Sequence, residues 1–292
     1  METGGRMKLI LSRKGFDSAA GGVPSPIFPD GRMLSLPIPD NIKSGTKYLD
    51  IFYNGKSLGP LIEQLASKIK SHAHLDPDLV KESLQSREDG WRPIFGQSGA
   101  AQGHLHNNDI STGDLFLFFG LFQDIKEREG VYTRVPKSKP RHVIWGWMQV
   151  DKVLHLGINK PDGYKWAEYH PHFRSDEPNN VVYIAKPQLE INGIILKDVP
   201  GAGVLPRYSS ELQLTAQDAD KVTDWELPGW FYPGESRKPL TFHPNLQRSW
   251  SLHGNRTKLK AASRGQEFIL DCKEYPEAIP WACDLITNHS QA

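Results

Sequence analysis

Two stretches in the middle of the chain restrict its architecture more than any others. "GDLFLFFGLFQ" (113–123) is an almost wholly apolar run rich in phenylalanine, and "RHVIWGWMQVDKVLHL" (141–156) alternates around a central glycine. Aromatic and β-branched runs of this kind read as strands. Only the polar, basic segment 124–140 separates them, so they read as a pair in a barrel or a strongly bent sheet. Gly120 and Gly146 would relieve crowding at tight bends. With 22 prolines and 26 glycines the chain favours loops and short strands over long helices.

Further strands are expected at "MKLILS", "GRMLSLPIP", "KYLDIFYNG", "NNVVYIAKPQLEI" and "GQEFILDC". "LGPLIEQLASKIKSH" reads as an amphipathic helix, with Leu61, Leu65 and Ile69 at spacing four and Pro60 at its start. "DPDLVKESLQ" reads as a second helix with Asp76 as N-cap, and "SSELQLTAQDADKVTDWEL" as a third behind a serine cap. The fold class is therefore α+β: a strongly curved mixed or antiparallel sheet with peripheral helices. No linker long enough to mark a boundary interrupts it. One domain over 1–292 is expected, behind a short disordered lead at 1–6.

No apolar run approaches a membrane span, and the N-terminal apolar core of four residues is too short for a signal peptide. The two cysteines, Cys272 and Cys283, make no disulfide framework and suit a reducing cytoplasm. Eight tryptophans exceed what a core of this size needs. The net charge of +1 leaves nucleic-acid binding open, because patches matter more than sums. Two basic stretches stand out. "RVPKSKPRH" carries Lys137, Lys139 and Arg141; "RTKLKAASR" carries Arg256, Lys258, Lys260 and Arg264. Each reads as a solvated loop or as phosphate contacts.

The first charged cluster follows the first strand. In "LILSRKGFDSAAGGVPSP", Ser12, Arg13 and Lys14 precede Asp17 and the pair Gly21–Gly22. Two cations keep a nearby carboxylate ionised, so that it can orient water, and flexible glycines let backbone N–H groups approach a ligand. The alternative is an Asx turn, with Asp17 bonded to its own backbone.

"FGQSGAAQGHLHNND" collects Gln97, Gln102, His104, His106, Asn107, Asn108 and Asp109. Amides offer donor and acceptor together, as base-edge reading requires. On an extended chain His104 and His106 share a face, and with His170 and His172 of "YHPHFR" they would offer four imidazoles to a metal. Structural histidines are the alternative. "DWELPGWFYP" carries Trp225, Trp230, Phe231 and Tyr232, which serve as core corners or as stacking plates. Glu267 and Asp271, four apart in a strand, share a face as a candidate carboxylate pair. No serine-hydrolase, zincin, zinc-ribbon or phosphate-loop motif is present.

Together "LILSRKGFDSAAGGVPSPI", "FGQSGAAQGHL", "GDLFLFFGLF" and "GQEFILD" resemble the nucleotide-modification-associated domain family of the third type over nearly the whole chain. The chain also resembles phage-defence DNA glycosylases that remove glucosylated hydroxymethylcytosine. The central strand pair looks like the barrel of the PUA, ASCH and EVE group. The resemblance implies a PUA/ASCH-like barrel element and a partner in phage DNA with modified bases. The positions inside the matching motifs are Ser12, Arg13, Lys14, Asp17, Gln97, His104, Glu267 and Asp271.

The expectation is a DNA glycosylase acting on a modified cytosine and leaving an abasic site. Its oxocarbenium-like sugar would be steadied by Asp17, with Lys14 and Arg13 as catalytic partners. Gln97, His104, Asn108, Trp145, Trp147, His170 and His172 would hold the flipped base. Ser12, Gly21, Gly22, Lys137, Lys139, Arg141, Arg256, Lys258 and Lys260 would follow the DNA backbone. Glu267 and Asp271 would be a second acid/base pair. No metal or organic cofactor and no protein partner are expected. The rivals are a non-catalytic modified-base reader, and a base-modifying transferase or a nuclease.

Overall fold

The computed structural model describes residues 7–40, 45–68, 71–157, 160–263 and 265–290. The lead expected at 1–6, Ile69 and Arg264 lie outside the described residues.

Six strands form the spine: β1 (Lys8–Arg13), β2 (Ile94–Gln97), β3 (Leu115–Arg128), β4 (Arg141–His155), β5 (Val181–Ala185) and β6 (Glu267–Asp271). They pair in the order β6-β1-β3-β4-β5-β2. β1 and β3 run parallel, and every other neighbouring pair is antiparallel, so the sheet is mixed. Ser25–Ile27 and Val131–Arg134 extend it along β3, and Ala202–Val204 along β4. The basic segment expected as a loop is thus largely a hairpin arm.

The sheet curls without closing. Bulges at Phe118/Phe119 and at Val150/Lys152 bend β3 and β4. The two edge strands then meet through side chains, with Gln97 Nε2 donating to Glu267 Oε1 at 2.6 Å. Among the described residues no backbone ladder joins β6 to β2. The expected PUA/ASCH-like closed barrel is therefore absent from them. Rings fill the interior instead: Phe95 of β2 lies 5.2 Å from Phe116 and 5.3 Å from Phe118 of β3, and stacks on Tyr183 of β5.

β3 is apolar on both faces because both are covered. Phe116 and Phe118 point into the curl, whereas Phe119 meets Trp225 and Phe268 outside it. Both glycines serve close approach, and Gly146 pairs with Phe118 at the bulge itself. A Cβ on Gly120 would sit 2.7 Å from the Lys14 carbonyl oxygen, and one on Gly146 3.0 Å from that of Gly203. Trp225 and Phe231 are core residues.

Of the three helices expected from the sequence only the first forms as an α-helix, and others form elsewhere. α1 (Gly59–Leu65) has proline in its first turn and ends at Ala66. α2 (Gly99–Asn107) covers the amide-rich segment, and α3 (Ala278–His289) closes the chain. The helix expected after Asp76 reduces to one 3-10 turn, Lys81–Ser83, because the Asp76 carboxylate is spent elsewhere. The third expected helix is likewise one 3-10 turn, Ser210–Leu212, capped by Ser209. "GRMLSLPIP" forms isolated bridges only, and "KYLDIFYNG" a 3-10 turn followed by a two-residue strand.

Candidate functional site

β1 alternates, so its last residues point to opposite sides. Ser12 is fully buried opposite Glu267 of β6. One pleat further, Lys14 follows the same side. Its ammonium donates to Glu267 Oε1 at 2.8 Å and lies 4.7 Å from the centre of the Phe95 ring. Glu267 thus receives Lys14 and Gln97 on one oxygen. Its other oxygen, like Ser12 Oγ, is buried without a hydrogen-bond partner. Arg13 points away, its guanidinium donating to the carbonyls of Ser263 (3.0 Å) and Gly265 (2.8 Å). Burial lowers the pKa of Arg13, and the charge of Asp17 works against that.

Asp17 occupies the turn that follows. Its Oδ1 accepts from the backbone N–H groups of Ala19 and Ala20, each at 2.7 Å. This is the Asx geometry, yet the residue is only half-buried and also lines a cleft. Gly21 and Gly22 do not line that cleft. They hold φ of +88° and +73°, and the Phe16 ring lies where a Cβ of Gly21 would go. Gly15, at φ +90°, and Gly265, at φ +102°, are the glycines that face the cleft among the described residues.

The cleft encloses about 580 Å³, within the range of small-ligand sites. Arg13, Lys14, Asp17 and Gln97 form one wall; His74, Asp76, His172 and Arg174 form the other. Of this second wall only His172 is among the site residues expected from the sequence; His74, Asp76 and Arg174 are not. Asp76 Oδ1 accepts from the Gly96 N–H at 2.7 Å and lies 3.2 Å from His170 Nε2. Oδ2 faces His172 Nε2 at 3.7 Å and His74 Nε2 at 3.9 Å, too far for hydrogen bonds. Burial would raise the Asp76 carboxyl. The His170 contact and the neighbouring imidazoles outweigh burial and hold it at about 2. Burial pushes His172 down to about 4 against the pull of Asp76, so its ring is neutral at neutral pH. One donor atom each from His74, Asp76 and His172 lie within 4.8 Å of one another.

The other expected residues disperse. α2 makes the chain helical, so His104 and His106 do not share a face. His104 Nε2 pairs with Thr241 Oγ1 at 3.1 Å, its ring lies 4.4 Å from Phe242, and His106 is exposed. The four-histidine site is therefore not assembled. Asn108 turns its amide back to the His104 carbonyl at 2.9 Å. Trp147 is buried and donates to the Pro200 carbonyl at 3.1 Å. Trp145 lines a second, apolar cavity of about 500 Å³ that shares Gly15 and Asp76 with the cleft. Arg141 is bound to Asp124 at 2.7 and 3.0 Å. Lys137 and Lys139 are exposed away from the cleft lining, as are Arg256, Lys258 and Lys260. Asp271 Oδ1 accepts from the Lys273 N–H. It lies four residues along the strand from Glu267, about 13 Å, so the two do not act as a pair.

His74 and Asp76 left one faint signal. "HLD" in an extended segment puts both on one face, but no spacing rule ties them to His172 almost a hundred residues later.

The molecule is thus a mixed-sheet α+β protein whose curled sheet opens a polar, carboxylate- and imidazole-walled cleft. Residues 8–271 match the model of the family described as nucleotide modification associated domain 3. The chain belongs to that family, and its role is tied to nucleotide modification. No curated protein and no solved structure matches it. Among the described residues no helix is long and apolar enough to cross a membrane.

Proposed function

We propose that the chain is a DNA glycosylase that hydrolyses the N-glycosidic bond of a modified cytosine and leaves an abasic site. The observation that carries this reading is Asp17. One of its oxygens is fixed by two backbone N–H groups at 2.7 Å, and the residue lines a cleft of nucleotide size beside Arg13, Lys14 and Gln97. A glycosidic bond breaks through a cationic sugar that a fixed anion stabilises, and water must be deprotonated as it attacks. Asp17 Oδ1 holds the side chain still; Oδ2 serves the sugar and the water. Arg13 draws in a flanking phosphate, while Lys14 and Gln97, both bonded to Glu267, hold this wall in place. Phage DNA, whose bases carry added groups, is the proposed substrate, and the roomy polar cleft suits such a base.

The test is mass-spectrometric detection of released base, with alkali-labile sites counted in parallel. Modified and unmodified DNA are compared. Asp17→Asn keeps the Asx turn, because an amide oxygen accepts the same two N–H groups. It is expected to lower base release on the order of 10³-fold while DNA binding persists. Undiminished release by that variant, or no release from modified DNA by the native chain, rejects the reading.

A further inference from the structure

The second wall of the cleft sets acceptor against acceptor. The Asn180 amide nitrogen donates to the carbonyls of His172 (2.6 Å) and Ser175 (3.3 Å). Carbonyls only accept, so the Asn180 amide cannot be turned around. Its Oδ1 therefore faces His172 Nδ1 at 2.6 Å, and Nδ1 must carry the hydrogen. That leaves His172 Nε2 as a bare lone pair, aimed at the free oxygen of Asp76 from 3.7 Å.

The same oxygen meets His74 Nε2 at 3.9 Å, while His74 Nδ1 lies 3.8 Å from Asp40 Oδ2. The other Asp76 oxygen accepts from the Gly96 N–H, and His170 Nε2 lies 3.2 Å from it without a hydrogen bond. His172 Nε2 and the Asp76 oxygen thus meet with no hydrogen between them, and His74 Nε2 lies within reach of the same oxygen, an arrangement that a cation resolves.

We propose that His74, Asp76 and His172 bind one first-row divalent cation, with its remaining coordination positions open to the cleft. Metal–ligand bonds of about 2.0–2.2 Å at tetrahedral angles place donors about 3.4 Å apart. The separations of 3.7 and 3.9 Å to Asp76 close to that with a shift of a few tenths of an ångström, and the two imidazole nitrogens, within 4.8 Å of each other, draw together with them. Two imidazoles and one carboxylate suit zinc, manganese, cobalt or ferrous iron rather than calcium or magnesium. Three protein ligands mark a site that keeps a position for an exogenous oxygen, whereas a purely structural zinc takes four. Asn180 orients the His172 imidazole from behind, as outer partners of metal-binding histidines do, and Asp40 lies 3.8 Å behind His74. The site shares its cleft with the reaction proposed above but does not depend on that reaction.

Equilibrium dialysis of the chelator-stripped full chain against Co²⁺ or Zn²⁺ tests it, with the visible spectrum of Co²⁺ reporting imidazole coordination. About one equivalent is expected in the native chain. His74→Ala, at a partly exposed position that leaves folding intact, should weaken uptake at least 100-fold, and Asn180→Ala 10- to 100-fold. Glu267→Gln and Asp17→Asn should leave it unchanged. Circular dichroism confirms that each variant is folded. Absence of stoichiometric uptake, or uptake unchanged in folded His74→Ala, overturns the inference. Base release fails separately: Asp17→Asn losing activity while holding its metal supports both readings, and a native chain that releases base but takes up no metal on dialysis removes the metal site alone.

Discussion

Asp76 and Asp78 lie two residues apart with side chains 6% and 1% exposed, yet the fold treats them in opposite ways. Asp78 is saturated. Arg87 grips it with two hydrogen bonds at 2.6 and 3.0 Å, Ser83 adds a third at 3.2 Å and the Tyr169 hydroxyl a fourth at 2.5 Å. Arg87 in turn lies over the rings of Trp91 and Tyr169. Asp76 has one backbone donor and three imidazoles but no permanent cation among the described residues. A buried charge with full partners holds a fold; one with lone pairs left over can hold a ligand.

The largest expected effect follows from that difference. Asp78→Ala strands the Arg87 guanidinium in the interior and should cost about 3–5 kcal/mol. Asp76→Asn keeps an oxygen for the Gly96 N–H and should cost about 1 kcal/mol or less. Urea denaturation of both variants, metal-free, measures the gap. Equal losses would break the comparison, because Asp76 would then be as structural as its neighbour.

Lys14 and Glu267 stand between the two cases. The pair is buried, with side chains 9% and 1% exposed, but one carboxylate oxygen remains unpartnered. Lys14→Met should cost about 3 kcal/mol by leaving that carboxylate without its cation. Adding Glu267→Gln should recover most of the loss, since the amide still meets Gln97. A double variant no more stable than Lys14→Met would show that Lys14 matters for its packing on Phe95 rather than for its charge.

This gradation also explains how far the sequence could be read. The spine was legible because apolar runs such as 113–123 and 141–156 declare their period and their burial. Lys14, Asp17 and Gln97 were legible because they sit at strand ends and in the following turn. Of the second wall only the "HPH" histidines were. Asp76 looks like a helix cap, and only the distant Gly96 N–H and the "HPH" turn reveal where its oxygens go. The amide-rich segment misled for the reverse reason: α2 winds residues that seemed to form one face. The barrel failed on a tertiary detail, an edge-to-edge meeting through Gln97 and Glu267 in place of a ladder.

A buried polar group can also be satisfied without any charge. His142 is 5% exposed, its Nδ1 accepts from Trp225 Nε1 at 3.0 Å, and burial pushes its pKa down to about 3. The unfolded chain takes up this proton near pH 6.5 and the folded chain does not. Stability is therefore full above that pH and falls between pH 6.5 and 3, with a slope of about 1.4 kcal/mol per pH unit. Asp114 opposes it: burial raises its carboxyl to about 6, so the folded chain gains as pH falls from 6 toward 4. Subtracting the profile of His142→Asn, which keeps the acceptor for Trp225, isolates the histidine. No slope in that difference would mean that the ring takes its proton inside the fold.

The smallest effect belongs to the surface, where partners hardly matter. Arg256 and Lys258 alternate with buried Thr257 and Leu259, and their acidic neighbours Glu226 and Asp218 lie 3.6 and 3.8 Å away. Exposed pairs of this kind contribute about 0–1 kcal/mol, so replacing both cations by alanine should leave the denaturation midpoint nearly unchanged. DNA affinity tests their other role. Each lost phosphate contact reduces the slope of log affinity against log salt by about 0.9, and the double variant should therefore lose close to 2. A salt slope equal to that of the native chain would take this strand off the DNA path and leave the cleft cation Arg13 as the group that meets the backbone.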